Sequence, residues 1–83
     1  MGVIIDHGAA DFPFQQLAAI IRERIKSGEY APGSKLPTIV EITGETGLTP
    51  MTIRRAMALL SDEGLVRIVP GRGTFVMEGL AEN

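Results

Sequence analysis

A three-residue break, Gly47-Leu48-Thr49, separates two stretches that each read as a helix, and it is too short to let them part. Upstream of it, Thr38 with Glu41 three residues later forms a capping box, which starts a helix running from about Ile39 to Thr46 and stopping at Gly47. Downstream, Thr49 serves as cap and Pro50 takes the first helical position, where its missing N–H is no loss. That helix extends from Pro50 to Glu63 and ends at Gly64. At about 100° per residue, Ile53, Ala56, Met57 and Leu60 gather on one side of it, and Met51, Arg54, Arg55, Ala58 and Asp62 on the other. One face is therefore for burial and the other for water or a partner. Two short helices joined by a tight glycine turn make a helix-turn-helix.

The flanking segments complete a domain around this motif. Asp11 before Phe12-Pro13 marks a helix start with proline near the first turn, and Phe14, Leu17, Ala18, Ile21 and Ile25 follow at the spacing of one helix face. Arg22, Glu23, Arg24 and Lys26 cover its other side, and Ser27-Gly28 ends it. Tyr30 to Ser34 is a turn, and Lys35-Leu36-Pro37 is at most a two-residue strand. After the third helix, Leu65 to Val69 reads as a strand, Pro70-Gly71-Arg72-Gly73 as a turn, and Thr74 to Met77 as the return strand. The predicted class is α+β, mainly α: a winged helix-turn-helix, three helices followed by a two-stranded β-hairpin wing. The expected limits are an arm over 1–11, the domain over 12–77 and a tail or linker over 78–83. The arm reads as loose, with Val3-Ile5 either a short strand or packed on a partner. By spacing, Phe14, Leu17, Ile21, Ile25, Leu48, Ile53, Leu60 and Phe75 form the core.

Composition removes several function classes. The 83 residues suffice for one domain, and a domain of that size is marginally stable. With no cysteine there is neither a disulfide nor a thiolate metal site. The single histidine, His7, sits in the arm and reads as a solvated residue, so no metal and no cofactor is expected. No phosphate-binding glycine loop and no paired carboxylates in a pocket are recognisable, which argues against an enzyme. No apolar run approaches the ~20 residues of a membrane span, Val3-Ile4-Ile5 is too short for a signal core, and Asp6 stands where a myristoylation start needs Ser or Thr. A soluble, cytoplasmic chain without membrane contact is the expectation.

The net charge of −2 argues mildly against nucleic acid, but its distribution argues the other way. Between Thr46 and Leu60 there are two arginines and no acid, and from Arg67 to Val76 two more arginines and again no acid. The acids collect in the arm, around Glu41 and Glu45, at Asp62-Glu63 and in the tail. A basic edge on a mildly acidic body results.

The stretch from Phe14 to Val76 resembles the N-terminal DNA-binding domain of the GntR family of bacterial transcription regulators, nearest to its HutC-like branch. Ile25 to Gly33 (IKSGEYAPG) is similar to the family's first-helix end and turn, Leu36-Pro37-Thr38 to its entry into the second helix, and Thr49 to Met57 (TPMTIRRAM) to its recognition helix. Glu63-Gly64-Leu65-Val66 with Gly71 to Val76 (GRGTFV) is similar to its wing. The resemblance implies DNA contacts at Thr38, Thr49, Thr52, Arg54, Gly71, Arg72 and Gly73, with Arg55 matching the Arg-Arg form of the HutC-like branch. It implies the recognition helix (50–63) in the major groove and the wing (70–73) on the adjacent minor groove. Two departures stand out: Ile39-Val40 replaces the family's Glu-Arg, and Pro50 replaces an arginine. Weaker affinity, an altered operator or a shifted contact pattern would follow. Family members also carry a C-terminal domain that binds an effector and makes the dimer; the chain reads as a fragment cut after the wing, or as a short member.

Arg54, at the flank of the exposed face, suits a phosphate or a base edge, and Arg55, nearer its centre, suits a bidentate guanine contact. Arg72, between two glycines, suits a minor groove or a phosphate. Thr38 and Thr49 cap helices and can also hold phosphate. Met51 either touches a thymine methyl or stands idle on the surface. The predicted function is sequence-specific double-stranded DNA binding as a regulator, a repressor by expectation, on a palindromic operator at the nucleoid. A homodimer is expected in the full-length protein or on DNA, and a small-molecule effector only with a C-terminal domain. The alternative is a winged helix that binds a protein instead of DNA.

Overall fold

The computed structural model describes residues 5, 6, 8 and 10–78. Helices α1 (Pro13–Ser27), α2 (Ile39–Thr46) and α3 (Pro50–Asp62) are followed by an antiparallel hairpin of β1 (Val66–Val69) and β2 (Gly73–Val76). This is the winged helix-turn-helix that the sequence predicts.

The caps form as expected in the middle of the chain. Thr38 Oγ1 accepts from the Glu41 N–H at 3.1 Å, and Glu41 Oε1 accepts from the Thr38 N–H at 2.8 Å. Thr49 Oγ1 accepts from the Thr52 N–H at 3.3 Å. Gly28 and Gly47 close α1 and α2 in the left-handed region, at φ 87° and 74°. The start of α1 differs in detail. Proline fits the first helical position, so the residue before it must be the cap, and that residue is Phe12, which has no capping group. Gln15 supplies half of the missing device by accepting from the Phe12 N–H at 3.2 Å. At its other end α3 stops at Asp62, one residue earlier than predicted, with Glu63 as cap.

Both α1 and α2 pack on α3, and β1 packs on its C-terminal end. Leu17, Ile21, Ile42, Ile53, Leu60 and Val76 are fully buried at the centre. Phe14 is half-buried and rests against this core. Phe75 does not belong to it. The hairpin register sets Val66 opposite Val76 and Arg67 opposite Phe75, and successive strand residues face opposite ways. Val66 and Val76 therefore take the inner face, leaving Phe75 half-buried on the outer one. Leu65 and Met77 fall outside the strands, although the Met77 N–H still donates to the Leu65 carbonyl at 3.0 Å; Gly73 pairs with Val69, which shortens the connection to residues 70–72.

The far edge of β2 is also paired. Lys35 makes an antiparallel bridge with Phe75; the Leu36 N–H donates to the Thr74 carbonyl at 2.8 Å and the Val76 N–H to the Ser34 carbonyl at 2.9 Å. The Gly33 N–H donates to the Val76 carbonyl at 2.9 Å. The base of the wing is thus joined to the segment that leads into α2.

The arm is tied down where it is described. Ile5 packs against the core, and the Gln16 amide accepts from the Asp6 N–H at 2.7 Å while donating to the Asp6 and Asp11 carbonyls at 2.8 and 2.9 Å. This corrects the expectation of a loose arm for Ile5 and Asp6. The readings of Val3, Ile4 and His7, and of the tail over 79–83, lie outside the described residues. No helix among the described residues is long and apolar enough to cross a membrane.

Candidate nucleic-acid interface

The face of α3 turned away from the core carries Met51, Arg54, Arg55, Ala58 and Asp62, all exposed, while Ile53, Ala56, Met57 and Leu60 are buried. The period therefore placed both faces correctly. Thr49 and Thr52 stand at the start of this helix, joined by a hydroxyl–hydroxyl hydrogen bond of 3.0 Å. Like the start of α2, this end carries the positive pole of the helix dipole.

Between the start of α2, the side of α3 and the wing runs an open groove of about 440 Å³. Thr38, Arg54, Gly71, Arg72 and Gly73 line it together, so the structure gathers into one place residues spread over some thirty-five positions of sequence. Its floor includes Ile39, Val40, Met57, Ile68 and Pro70. Three cations line it, Lys35, Arg54 and Arg72, and none of the lining residues is acidic. On a chain with a net charge of −2, that separation gives the groove a local sign opposite to the whole.

At the wing tip, Gly71 and Gly73 adopt φ of 76° and 130°, a region closed to most side chains. They let the chain reverse around Arg72, whose N–H donates to the Val69 carbonyl at 3.0 Å. Arg72 is exposed and also borders a second depression with Arg67, Phe75 and Glu78.

Thr49, Met51, Thr52 and Arg55 do not line the groove. Met51 is 79% exposed on the first turn of α3. Arg55 leans the other way, its guanidinium stacked on Phe14 at the start of α1. Sequence reasoning passed over Lys35 and took Val40 only as a departure from the family's arginine, not as a site residue. Lys35 lies against the wing closely enough that a Cβ added at Gly73 would meet its Cε at 2.7 Å. Only the pairing of Lys35 with Phe75, a contact across forty residues, brings that cation to the site. For Val40 there was a signal, an apolar residue outside the buried face of a short helix; it is 81% exposed.

Charge states follow from local partners. Backbone and side-chain hydrogen bonds at Thr38 hold the Glu41 carboxyl below its ordinary range, with nearby Lys35 adding to the effect. Away from the groove, Arg22 donates to both carboxylate oxygens of Glu63 at 2.7 Å, tying α1 to the end of α3 and lowering the Glu63 pKa. No group of His, Cys, Asp and Glu side chains among the described residues could hold a metal ion.

Residues 13–76 match the family described as bacterial regulatory proteins, gntR family. The chain is 39% identical over 71 residues to the histidine utilization repressor of Klebsiella aerogenes, a match covering 84% of this chain and 30% of that protein. Among solved structures it superposes on YtrA from Sulfolobus acidocaldarius, a GntR-family transcription factor, with a TM-score of 0.85 and 33% identity over 98% of this chain and 85% of that one. It also superposes on AraR(DBD) in complex with operator ORX1, with a TM-score of 0.80 and 32% identity over 92% of this chain and 95% of that one. The chain spans about 30% of the length of the repressor it matches.

Proposed function

The chain belongs to the gntR family of bacterial regulatory proteins, and from that premise we propose that it binds double-stranded DNA in a sequence-specific manner, as the reading unit of a transcription repressor. The observation that carries this is the groove between α2, α3 and the wing, with Lys35, Arg54 and Arg72 along it and no acid. DNA presents a phosphate charge every ~1.7 Å of axis, and three cations beside the N-terminus of α2 are what such a surface attracts. The alternation of exposed and buried residues on α3 supports placing that helix in the major groove, start first. The wing then meets the adjacent minor groove through Gly71, Arg72 and Gly73.

In this reading Arg54 and Arg72 neutralise phosphates or reach base edges, Thr38 and Thr49 present capped helix ends to phosphates, and Met51, Thr52 and Arg55 face bases. The working unit is 12–77. Two copies on a palindromic operator give the two-fold arrangement that helix-turn-helix proteins use, so a homodimer belongs to the proposal. A small-molecule effector belongs to it only together with a further C-terminal domain. The site is one of binding and not of catalysis, and its place is the nucleoid in the cytoplasm.

The test is fluorescence anisotropy of the chain, alone and joined to a second copy, against a randomised duplex pool, followed by selection and a salt titration. Enrichment of a defined half-site, with affinity falling steeply in salt, is the expected result. No binding at low salt, even for the joined dimer, would turn the assignment toward a protein partner.

A further inference from the structure

Val40 and Met51 are the most exposed of the large apolar side chains in the described residues, at 81% and 79%. They hold equivalent places. Each is the second residue of a helix behind a threonine cap, Thr38 for α2 and Thr49 for α3. Neither helps its helix: exposed apolar groups leave burial unrealised, and a β-branched residue such as Val40 is a weaker helix former than alanine, lysine or glutamate.

Val40 is also not on an arbitrary surface. It lines the groove with Arg54 and Arg72, and Ile68 from the wing faces the same space. A groove designed only for phosphate has no use for such a floor, since phosphate oxygens gain nothing against a methyl group. The duplex offers one apolar group on its readable edge, the 5-methyl of thymine in the major groove.

We propose that Val40, together with Met51, reads thymine 5-methyl groups in the operator. Part of this chain's sequence preference then comes from apolar contact at the starts of two helices, and not from hydrogen bonds. This rests on the DNA-binding reading above and adds to it a residue, a base and an atom. Covering one methyl is worth about a fourfold change in affinity.

The experiment takes the operator selected above and replaces its thymines by deoxyuridine one at a time, which removes the methyl and leaves every hydrogen-bonding group. Wild-type chain should lose about fourfold in affinity at two thymines of each half-site. Val40→Ala should abolish the penalty at one of them and Met51→Ala at the other. Val40→Arg should also abolish the first, while steepening the salt dependence by about one phosphate contact. An operator that is bound equally well with uracil throughout would sink the proposal and leave DNA binding intact. So would a penalty that survives in both alanine variants, or a selected half-site without thymine. A pool from which nothing is enriched would remove the DNA-binding reading itself, and this proposal with it.

Discussion

The Arg55 guanidinium lies 4.0 Å from the centre of the Phe14 ring, joining the outward face of α3 to the first turn of α1. Phe14 in turn stacks on Phe12, with ring centres 6.3 Å apart and planes 14° from parallel. A long cationic side chain that would otherwise sample many rotamers is thereby restricted on the exposed face of α3.

The stack should register in stability. Cation–π pairs at exposed sites contribute about 0.5–1 kcal/mol. A double-mutant cycle of Phe14→Leu and Arg55→Ala, followed by urea unfolding, should return a coupling energy in that range. Additive losses would show that the two side chains lie together without stabilising the fold.

The Arg22–Glu63 pair should shape the acid limb of the stability curve. Hydrogen bonds from Arg22 lower the Glu63 pKa in the folded state from its ordinary 4.5. A depressed folded pKa means stabilisation that is present above the unfolded value and lost as pH falls through the folded one. Since both side chains keep about a third of their exposure, Glu63→Gln should cost only about 0.5–1 kcal/mol at neutral pH. Thermal melts of the variant and the parent should converge as pH falls through the lowered folded pKa of Glu63; a constant gap at every pH would mean that the charge is not what matters.

Loss of the α2 cap should cost more than its surface position suggests. Thr38→Ala removes the acceptor for the Glu41 N–H and leaves only the reciprocal bond, donated by the backbone N–H of residue 38. Destabilisation of about 1 kcal/mol is expected, with Thr38→Ser retaining most of the parent stability in the same denaturation assay.

The groove cations should separate by salt dependence. Arg54→Ala and Arg72→Ala should each weaken operator binding about tenfold, and a cation that contacts phosphate should lower the slope of log K against log salt by about one. Arg67→Ala, on the outer face of the hairpin opposite Phe75, should have a smaller effect. Equal losses for all three would indicate general attraction by scattered surface cations, without a defined groove.

What could be read from the sequence were the features that local chemistry decides. Thr38, Gly47, Thr49 and Pro50 act within a few residues of themselves, and the helix limits they imply are those observed, as is the burial of Ile53 and Leu60. The strands were found but their parity was not fully resolved. Spacing assigns Phe75 inward, whereas the hairpin register gives the inner face to Val76. Long-range contacts left no local sign at all. Nothing near Lys35 announces Phe75 as its strand neighbour, and nothing in the recognition helix tells that Arg55 will lean toward Phe14. The candidate site was therefore legible as a set of residues on α3 and the wing tip. Its enclosure into a groove, with Lys35 and Val40 on its lining, was not.

Because β2 is hydrogen-bonded along both edges, the wing tip and the threonine cap of α2 belong to one stiff piece, held at a set span. A duplex touching both ends of that span meets a gauge that does not adjust. The accommodation falls on the DNA, and sequences whose minor groove narrows or whose axis bends at small elastic cost are favoured over stiffer ones. Part of the operator's identity would then reside in base pairs that no side chain touches.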